Sequence, residues 1–402
     1  MRALPLAVLT LALALPASAR QPKTIAPTAL SPAPTLTADS EARWVPFELT
    51  PGNQIAFRMT VNGRTATAVL DTGVNFTLAA SAFAATIGLK PTASGQAAAA
   101  IGGTLPIAWA PVESIDFGGL SRHGGRIGVA DLTALATGTP QRVDVVVGAD
   151  LLAAHALDID FDNRRFRLLP SGRLPFRGTS VTVTTAPRTG TFLVDATVGS
   201  ARVRPLLLDT GDGSTLTLAR EAWATTRLPD VGLTSAYAVG LAGPIETDLV
   251  VLPRVLLGTA AARNVEVRIE PPRGYSALTG TAGRIGNGLL QRYRVLLDPK
   301  ARRMVLAPGR DVDAMPLKST SGLLLSYEGK ALRVLHVMRG SPAASNGWRA
   351  GERICAIDGA RLPDDYRTST LGQWPAGKPG RIVRLGLCNG GPERALTLAA
   401  FY

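Results

Sequence analysis

The tripeptide Asp-Thr-Gly occurs twice, at 71–73 in TAVLDTGVNFTL and at 209–211 in LLLDTGDGSTL, each time behind an apolar run. A carboxylate held away from water is costly unless it is paired, takes up a proton or has a chemical use. The spacing shows a common origin for both. Asp71 and Asp209 are 138 residues apart, as are Gly148 in VVVGADLL and Gly286 in GRIGNGLL, and Asp160 in LDIDFDNRRFRLLP and Asp298 in VLLDPKARRMVLAP. Arg165 and Arg303, Leu168 and Leu306, and Pro170 and Pro308 keep the same offset. The chain therefore holds two copies of one unit, 43–174 and 175–309.

Within each copy, stretches such as QIAFRMTV, TATAVLD, IAWAPVESIDF, DVVVGADLL and RRFRLLP have strand length and end at Gly, Asn or Pro turns. Helices are expected only briefly, at LAASAFAATIG, stopped by Gly88, and at LAREAWATT. The fold class is mainly β. After a linker at 310–319, residues 320–402 form a third unit. Its GLLLSYEGKALRVLHV, GSPAASNG, ERICAIDG, DDYRTSTLGQW, RIVRLGLC and RALTLAAF read as strands and short helices of an α+β module.

Residues 1–19 have Arg2, an apolar stretch from Ala3 to Pro16, and Ala17-Ser18-Ala19. They predict a secretory signal peptide cut before Arg20, and so a periplasmic or secreted protein. That stretch is shorter than the roughly 20 residues of a membrane-spanning helix, and no later run is long enough. The Pro-, Ala- and Thr-rich residues 20–42 read as an extended linker. Cys355 and Cys388 are the only cysteines, and either one local disulfide or two buried thiols fits them. With His123, His155 and His336 in unrelated settings, no metal site is expected, and no cofactor. The net charge of +13 comes mostly from dispersed arginines without aromatic interleaving, so no nucleic-acid surface is expected. DIDFDN (Asp158, Asp160, Asp162) lacks the Gly and Glu of a calcium loop and reads as strand and turn. His155 has no nucleophilic Ser or Cys in a recognisable elbow beside it.

If the two copies meet about a pseudo-two-fold axis, Asp71 and Asp209 come together and share one proton, since adjacent carboxylates do not both ionise. The charged member then serves as general base on a water while the protonated member polarises a carbonyl. Thr72 and Thr210 would cross-brace the two loops, and Gly73 and Gly211 would allow backbone to approach without a Cβ.

These loops, with the segments VVG at 146–148 and RIG at 284–286, resemble the retropepsin-like aspartic proteases, and residues 320–402, with GSPAASNGWRAGERICAIDG, are similar to bacterial PDZ domains. The resemblance implies two tandem acid-protease β-barrel lobes followed by a PDZ domain, and a metal-free endopeptidase acting on polypeptide substrates. It also implies hairpin flaps, for which Gly102 and Gly103, and Gly240 and Gly243, mark the candidates; Tyr237 nearby is read as a core residue. In the PDZ-like module Gly322, Leu323, Leu324 and Leu325 would offer N–H groups to the carboxylate of a C-terminal peptide ligand. The sequence departs from the family at Val74-Asn75 and Asp212-Gly213, where small and hydroxyl residues are usual, and at Arg284, where an apolar residue is usual. Asp212 adds negative charge beside Asp209. The alternatives are a degenerate, non-cleaving peptide-binding protein, and pairing of like lobes between two chains.

Overall fold

The computed structural model describes residues 31–136, 142–228, 232–366 and 369–402. The predicted signal peptide at 1–19 and residues 20–30 of the predicted linker lie outside them.

Each copy opens with a hairpin, Ile55–Val61 with Arg64–Leu70 in the first and Phe192–Val198 with Ala201–Asp209 in the second. In Ile55–Val61 alternate residues, Ile55, Phe57, Met59 and Val61, are buried, the period of a strand with one face on a core. Asn62 and Gly63, both at positive φ, close the first hairpin with the tight turn that its strand twist favours. The second strand of each hairpin runs inward. Val145–Val147 lies parallel to Arg64–Leu70 on its other edge, and Gly283–Gly286 lies parallel to Ala201–Asp209. A strand flanked on both edges and covered on both faces reads as a continuous apolar run, which explains Leu206-Leu207-Leu208 before Asp209.

The two copies are joined by a six-stranded sheet in the order Thr179–Thr182, Arg303–Pro308, Tyr293–Asp298, His155–Asp160, Arg165–Pro170, Val45–Pro46. At its centre Asp158 faces Leu296, Leu157 faces Leu297 and Ile159 faces Val295. Asp158 and Leu296, one repeat apart, thus sit opposite one another, and the pairs on either side of them exchange when the copies are exchanged, so the sheet carries the pseudo-two-fold axis. Asp158 and Asp160 belong to its ion pairs: Arg167 and Arg294 both donate to Asp158, and Arg165 and Asn163 donate to Asp160. A single apolar core runs through both copies, from Phe57 and Leu70 to Leu208 and Ile285.

Residues 320–402 have their own core around Leu332, Ile354, Trp374 and Val383. The sheet runs Leu323–Tyr327, Leu332–Val337, Arg353–Ile357, Ile382–Leu387, Arg394–Thr397. Cys355 and Cys388 form a disulfide within it, which resolves the alternative left open by the sequence. The helix expected over DDYRTSTLGQW is instead a 3-10 segment at Thr370–Ala376, where Gly372 and Pro375 disfavour α-helix. The linker reading of residues 20–42 also needs correction for its described part. Thr35–Leu36 pairs with Leu120–His123 and Leu36 packs on the core, so this segment is tied to the first copy by ladder bonds and apolar contact.

The third unit rests on one hairpin of the second copy, Thr234–Gly240 with Gly243–Leu257. Ser235 Oγ lies 2.7 Å from His336 Nε2, and Thr234 Oγ1 donates to the Arg339 carbonyl at 2.8 Å. The Arg339 guanidinium pairs with Asp248. The chain's last strand ends at Thr397, and beyond it Phe401 and Tyr402 pack with Ala236, Leu249 and Met338.

Candidate active site

Both Asp-Thr-Gly segments lie where an inner strand turns away from its parallel neighbour. The Thr72 hydroxyl donates to the Leu208 carbonyl at 2.8 Å and accepts from the Thr210 N–H at 3.1 Å. The Thr210 hydroxyl donates to the Leu70 carbonyl at 2.8 Å and accepts from the Thr72 N–H at 3.0 Å. Both threonines are buried, and every bond crosses between the copies. Buried main-chain groups need partners, and here each loop satisfies the other's. This is the cross-bracing expected of Thr72 and Thr210.

The brace holds two carboxyls together. Asp71 Oδ1 accepts from the N–H groups of Gly73 at 2.9 Å and Val74 at 3.2 Å; Asp209 Oδ1 accepts from those of Gly211 at 3.1 Å and Asp212 at 3.0 Å. A hydrogen bond joins the Asp71 and Asp209 side chains, both supplied by one chain. The glycines make this approach feasible. A Cβ on Gly73 would sit 2.4 Å from Asp209 Cγ, and one on Gly211 would sit 2.2 Å from Asp71 Oδ2. Gly148 and Gly286 crowd the loops from behind: a Cβ on Gly148 would lie 2.6 Å from the Phe76 carbonyl carbon, and one on Gly286 2.2 Å from the Ser214 oxygen.

Burial raises the Asp71 carboxyl to about 6, against the pull of the hydrogen bonds from Gly73, Asp209 and Val74. Asp209 is raised further, by burial and then by the charges of Asp71 and Asp212. Two carboxyls that both resist ionisation and share a hydrogen bond retain one proton between them near neutral pH, and they titrate as a unit.

The two departures noted in the sequence meet each other here. Arg284, buried, pairs with Asp212 and also with buried Glu270, and its guanidinium lies over the Tyr275 ring at 5.4 Å. Burial acts to raise Asp212, but Arg284 and hydrogen bonds from Ser214 outweigh it and hold this carboxyl below its ordinary range. The negative charge at Asp212 is therefore real and is answered locally.

A cleft of about 1300 Å³ lies over the pair, lined by residues of both copies. Its roof is two hairpins, Thr92–Ala100 with Gly103–Pro111 and Thr234–Gly240 with Gly243–Leu257. Their tips touch. The Ala242 N–H donates to the Ile101 carbonyl at 3.0 Å, and a Cβ on Gly240 would fall 2.2 Å from that same oxygen. One on Gly102 would fall 2.5 Å from the Gly243 carbonyl. Gly102, Gly103 and Gly243 take positive φ at the turns. Tyr237, read as a core residue, instead lines the cleft and stacks on His336, because its strand is the edge of its sheet.

In the third unit, the segment expected to bind a carboxylate is closed on itself. The Gly322 N–H donates to Ser319 Oγ at 2.9 Å and the Leu323 N–H to Ser321 Oγ at 3.1 Å. Gly322 is packed so tightly on Ser341 that a Cβ would lie 2.0 Å from the serine's own. These hydroxyls, close in sequence, occupy the donors that Gly322–Leu323 were expected to present; Leu323–Tyr327 pairs on one side only and is an edge strand of its sheet.

Residues 57–151 match the family model described as aspartyl protease. That segment is similar to aspartyl proteases. It contains the first Asp-Thr-Gly, the first roof hairpin and Val146-Val147-Gly148. No curated protein matches the chain. Among the described residues no group of His, Cys, Asp and Glu is arranged to hold a metal ion, and no helix is long and apolar enough to cross a membrane.

Two participants, Tyr275 and Glu270, were not identified from the sequence; they lie between Ala260–Ile269 and Gly283–Gly286 in a stretch that carries no motif. The pairing of Asp212 with Arg284 had a trace, since both break the pattern of the first copy, but nothing in their spacing brings them together.

Proposed function

We propose that the protein is an exported aspartic endopeptidase in which two retropepsin-like lobes of one chain form the catalytic pair Asp71 and Asp209. The observation that carries this reading is the mutual hydrogen bonding of the two Asp-Thr-Gly loops around a hydrogen-bonded pair of carboxyls, Asp209 buried and Asp71 half-buried. In the singly protonated state the ionised carboxyl removes a proton from water as it attacks the peptide carbonyl, and the protonated one donates to the carbonyl oxygen. The resulting tetrahedral species collapses with return of a proton to the departing amine. The roof hairpins exclude bulk water, which strengthens both hydrogen bonds.

The third unit is read as a PDZ domain that captures polypeptide substrates or regulates cleavage. Strand addition along Leu323–Tyr327 is the mode its sheet suits. Removal of residues 1–19 by a signal peptidase would place the protein in the periplasm or outside the cell; N-terminal sequencing of the exported protein reads this directly.

The test of the catalytic reading is Asp71→Asn and Asp209→Asn, assayed on a quenched fluorogenic peptide library. Each is expected to lower turnover by about 10²–10⁴-fold, the range of acid–base catalysis, with the fold retained. Undiminished cleavage by Asp209→Asn would sink the proposal. Peptide binding without turnover by the unaltered protein would favour the non-cleaving alternative.

A further inference from the structure

The internal repeat allows each residue of the cleft wall to be compared with its own counterpart. Val74, Phe76 and Val146 line the cleft in the first copy; at the same offset the second copy presents Asp212, Ser214 and Arg284, which also line it. Every apolar wall residue of this set has thus become polar or charged. The replacements are organised. Arg284 bridges Asp212 and Glu270, and Asp212 Oδ1 accepts from the Ser214 N–H at 2.8 Å. Ser214 Oγ lies 3.0 Å from Thr217 Oγ1, so that hydroxyl is positioned as well. Tyr275 completes this wall, its ring beneath the Arg284 guanidinium. Across the cleft Phe76 packs on Trp109 at 4.8 Å in an apolar cluster that includes Val146.

We propose that the two subsites flanking the carboxyl pair have opposite chemistry, so that the cleft selects a peptide with an apolar side chain on one side of the scissile bond and a polar, hydrogen-bond-donating side chain on the other. The first wall offers dispersion contacts and no partner for a polar group, which would be desolvated there at a cost. The second offers the Ser214 and Tyr275 hydroxyls and the remaining lone pairs of the Asp212 carboxylate, whose oxygens already accept from Ser214 and Arg284. An apolar side chain placed there would desolvate these polar groups and give them nothing in return, and a site built to hydrogen-bond discriminates more sharply than an apolar one. The inference rests on the peptide cleft proposed above, but it is read by binding rather than by turnover.

The probes are hexapeptides in which a reduced amide replaces the scissile bond, flanked by Leu/Leu, Leu/Gln, Gln/Leu or Gln/Gln, with affinities measured by calorimetry on the full chain. One of the two mixed orders is expected to bind about tenfold or more tightly than Leu/Leu. The triple variant Asp212→Val, Glu270→Gln, Arg284→Val carries the first copy's residues at 212 and 284 and leaves no buried carboxylate unpaired; its best ligand is expected to become Leu/Leu. Ser214→Phe leaves the ion pairs intact and should shift the ranking the same way, which keeps the test open if the triple variant does not fold. Leu/Leu as the best ligand of the unaltered protein, no binding by any of the four, or an unchanged ranking in Ser214→Phe would overturn the proposal. Absence of turnover with the expected ranking would sink only the peptidase reading.

Discussion

Replacement of Thr210 by Val tests how the two loops are held. Valine keeps the shape of threonine, so the change removes a hydroxyl without leaving a cavity. In the structure that hydroxyl accepts from the Thr72 N–H at 3.0 Å and donates to the Leu70 carbonyl at 2.8 Å, and Thr210 is 1% exposed. Water has no access to replace it. Each buried group stranded without a partner costs about 1–3 kcal/mol, so two of them together cost about 2–6 kcal/mol. Thr210→Ser keeps both bonds and deletes one methyl, for about 1 kcal/mol. Urea unfolding of the two variants and the parent would measure this difference, and amide exchange over residues 70–74 would locate it. Val is expected to lose at least about 2 kcal/mol more than Ser, with faster exchange at Thr72. Equal stability of the Val and Ser variants would show that the cross-bracing hydroxyls contribute nothing net, and the physical basis given for the paired loops would fail.

Other outcomes follow from the same geometry. Asp212, Arg284, Glu270 and Tyr275 lie beside the Asp71–Asp209 pair, and under the proposed mechanism the working form holds one proton between the two carboxyls. Turnover should therefore rise with pH through about 6 and fall only as the second proton leaves, a profile readable as kcat/KM against pH. Because both carboxyls are raised in the folded state, the stability they lend is present in acid and is lost as pH rises through about 6 and beyond; Asp71→Asn should gain stability over the parent at pH 8 and little at pH 4, by urea midpoints. Gly240→Ala would place a methyl 2.2 Å from the Ile101 carbonyl, so the roof tips should no longer meet and kcat/KM should drop with the carboxyl pair intact. Reduction of Cys355–Cys388, which closes a loop of 33 residues, should destabilise the third unit by about 4 kcal/mol, seen as its separate melting while the carboxyl pair persists.

Much of this site was legible because the chain is written twice. A lone Asp-Thr-Gly denotes a turn, but a second copy with matching glycines at 148 and 286 fixes where a symmetric pair must lie, and the Leu206-Leu207-Leu208 run gives its burial. The turn glycines of the roof hairpins were found for the same local reason. What could not be read was side-chain partnership over distance. Arg284 and Asp212 are 72 residues apart, and each looks like a defect until the other is beside it. The Gly322 and Leu323 N–H groups are taken up by Ser319 and Ser321, which fold back onto them, a choice of rotamer that a strand pattern does not record. Tyr237 was misplaced because alternation marks which face a residue lies on, not whether that face meets a core or a cleft.

The close fit of each glycine beneath the opposing aspartate has a consequence for inheritance. Because Gly73 leaves room for Asp209 and Gly211 leaves room for Asp71, a side chain added in one half displaces the carboxyl contributed by the other. The duplicated segments could drift apart along the cleft walls, as positions 212 and 284 have done, but at these four positions they remain bound to change together or not at all.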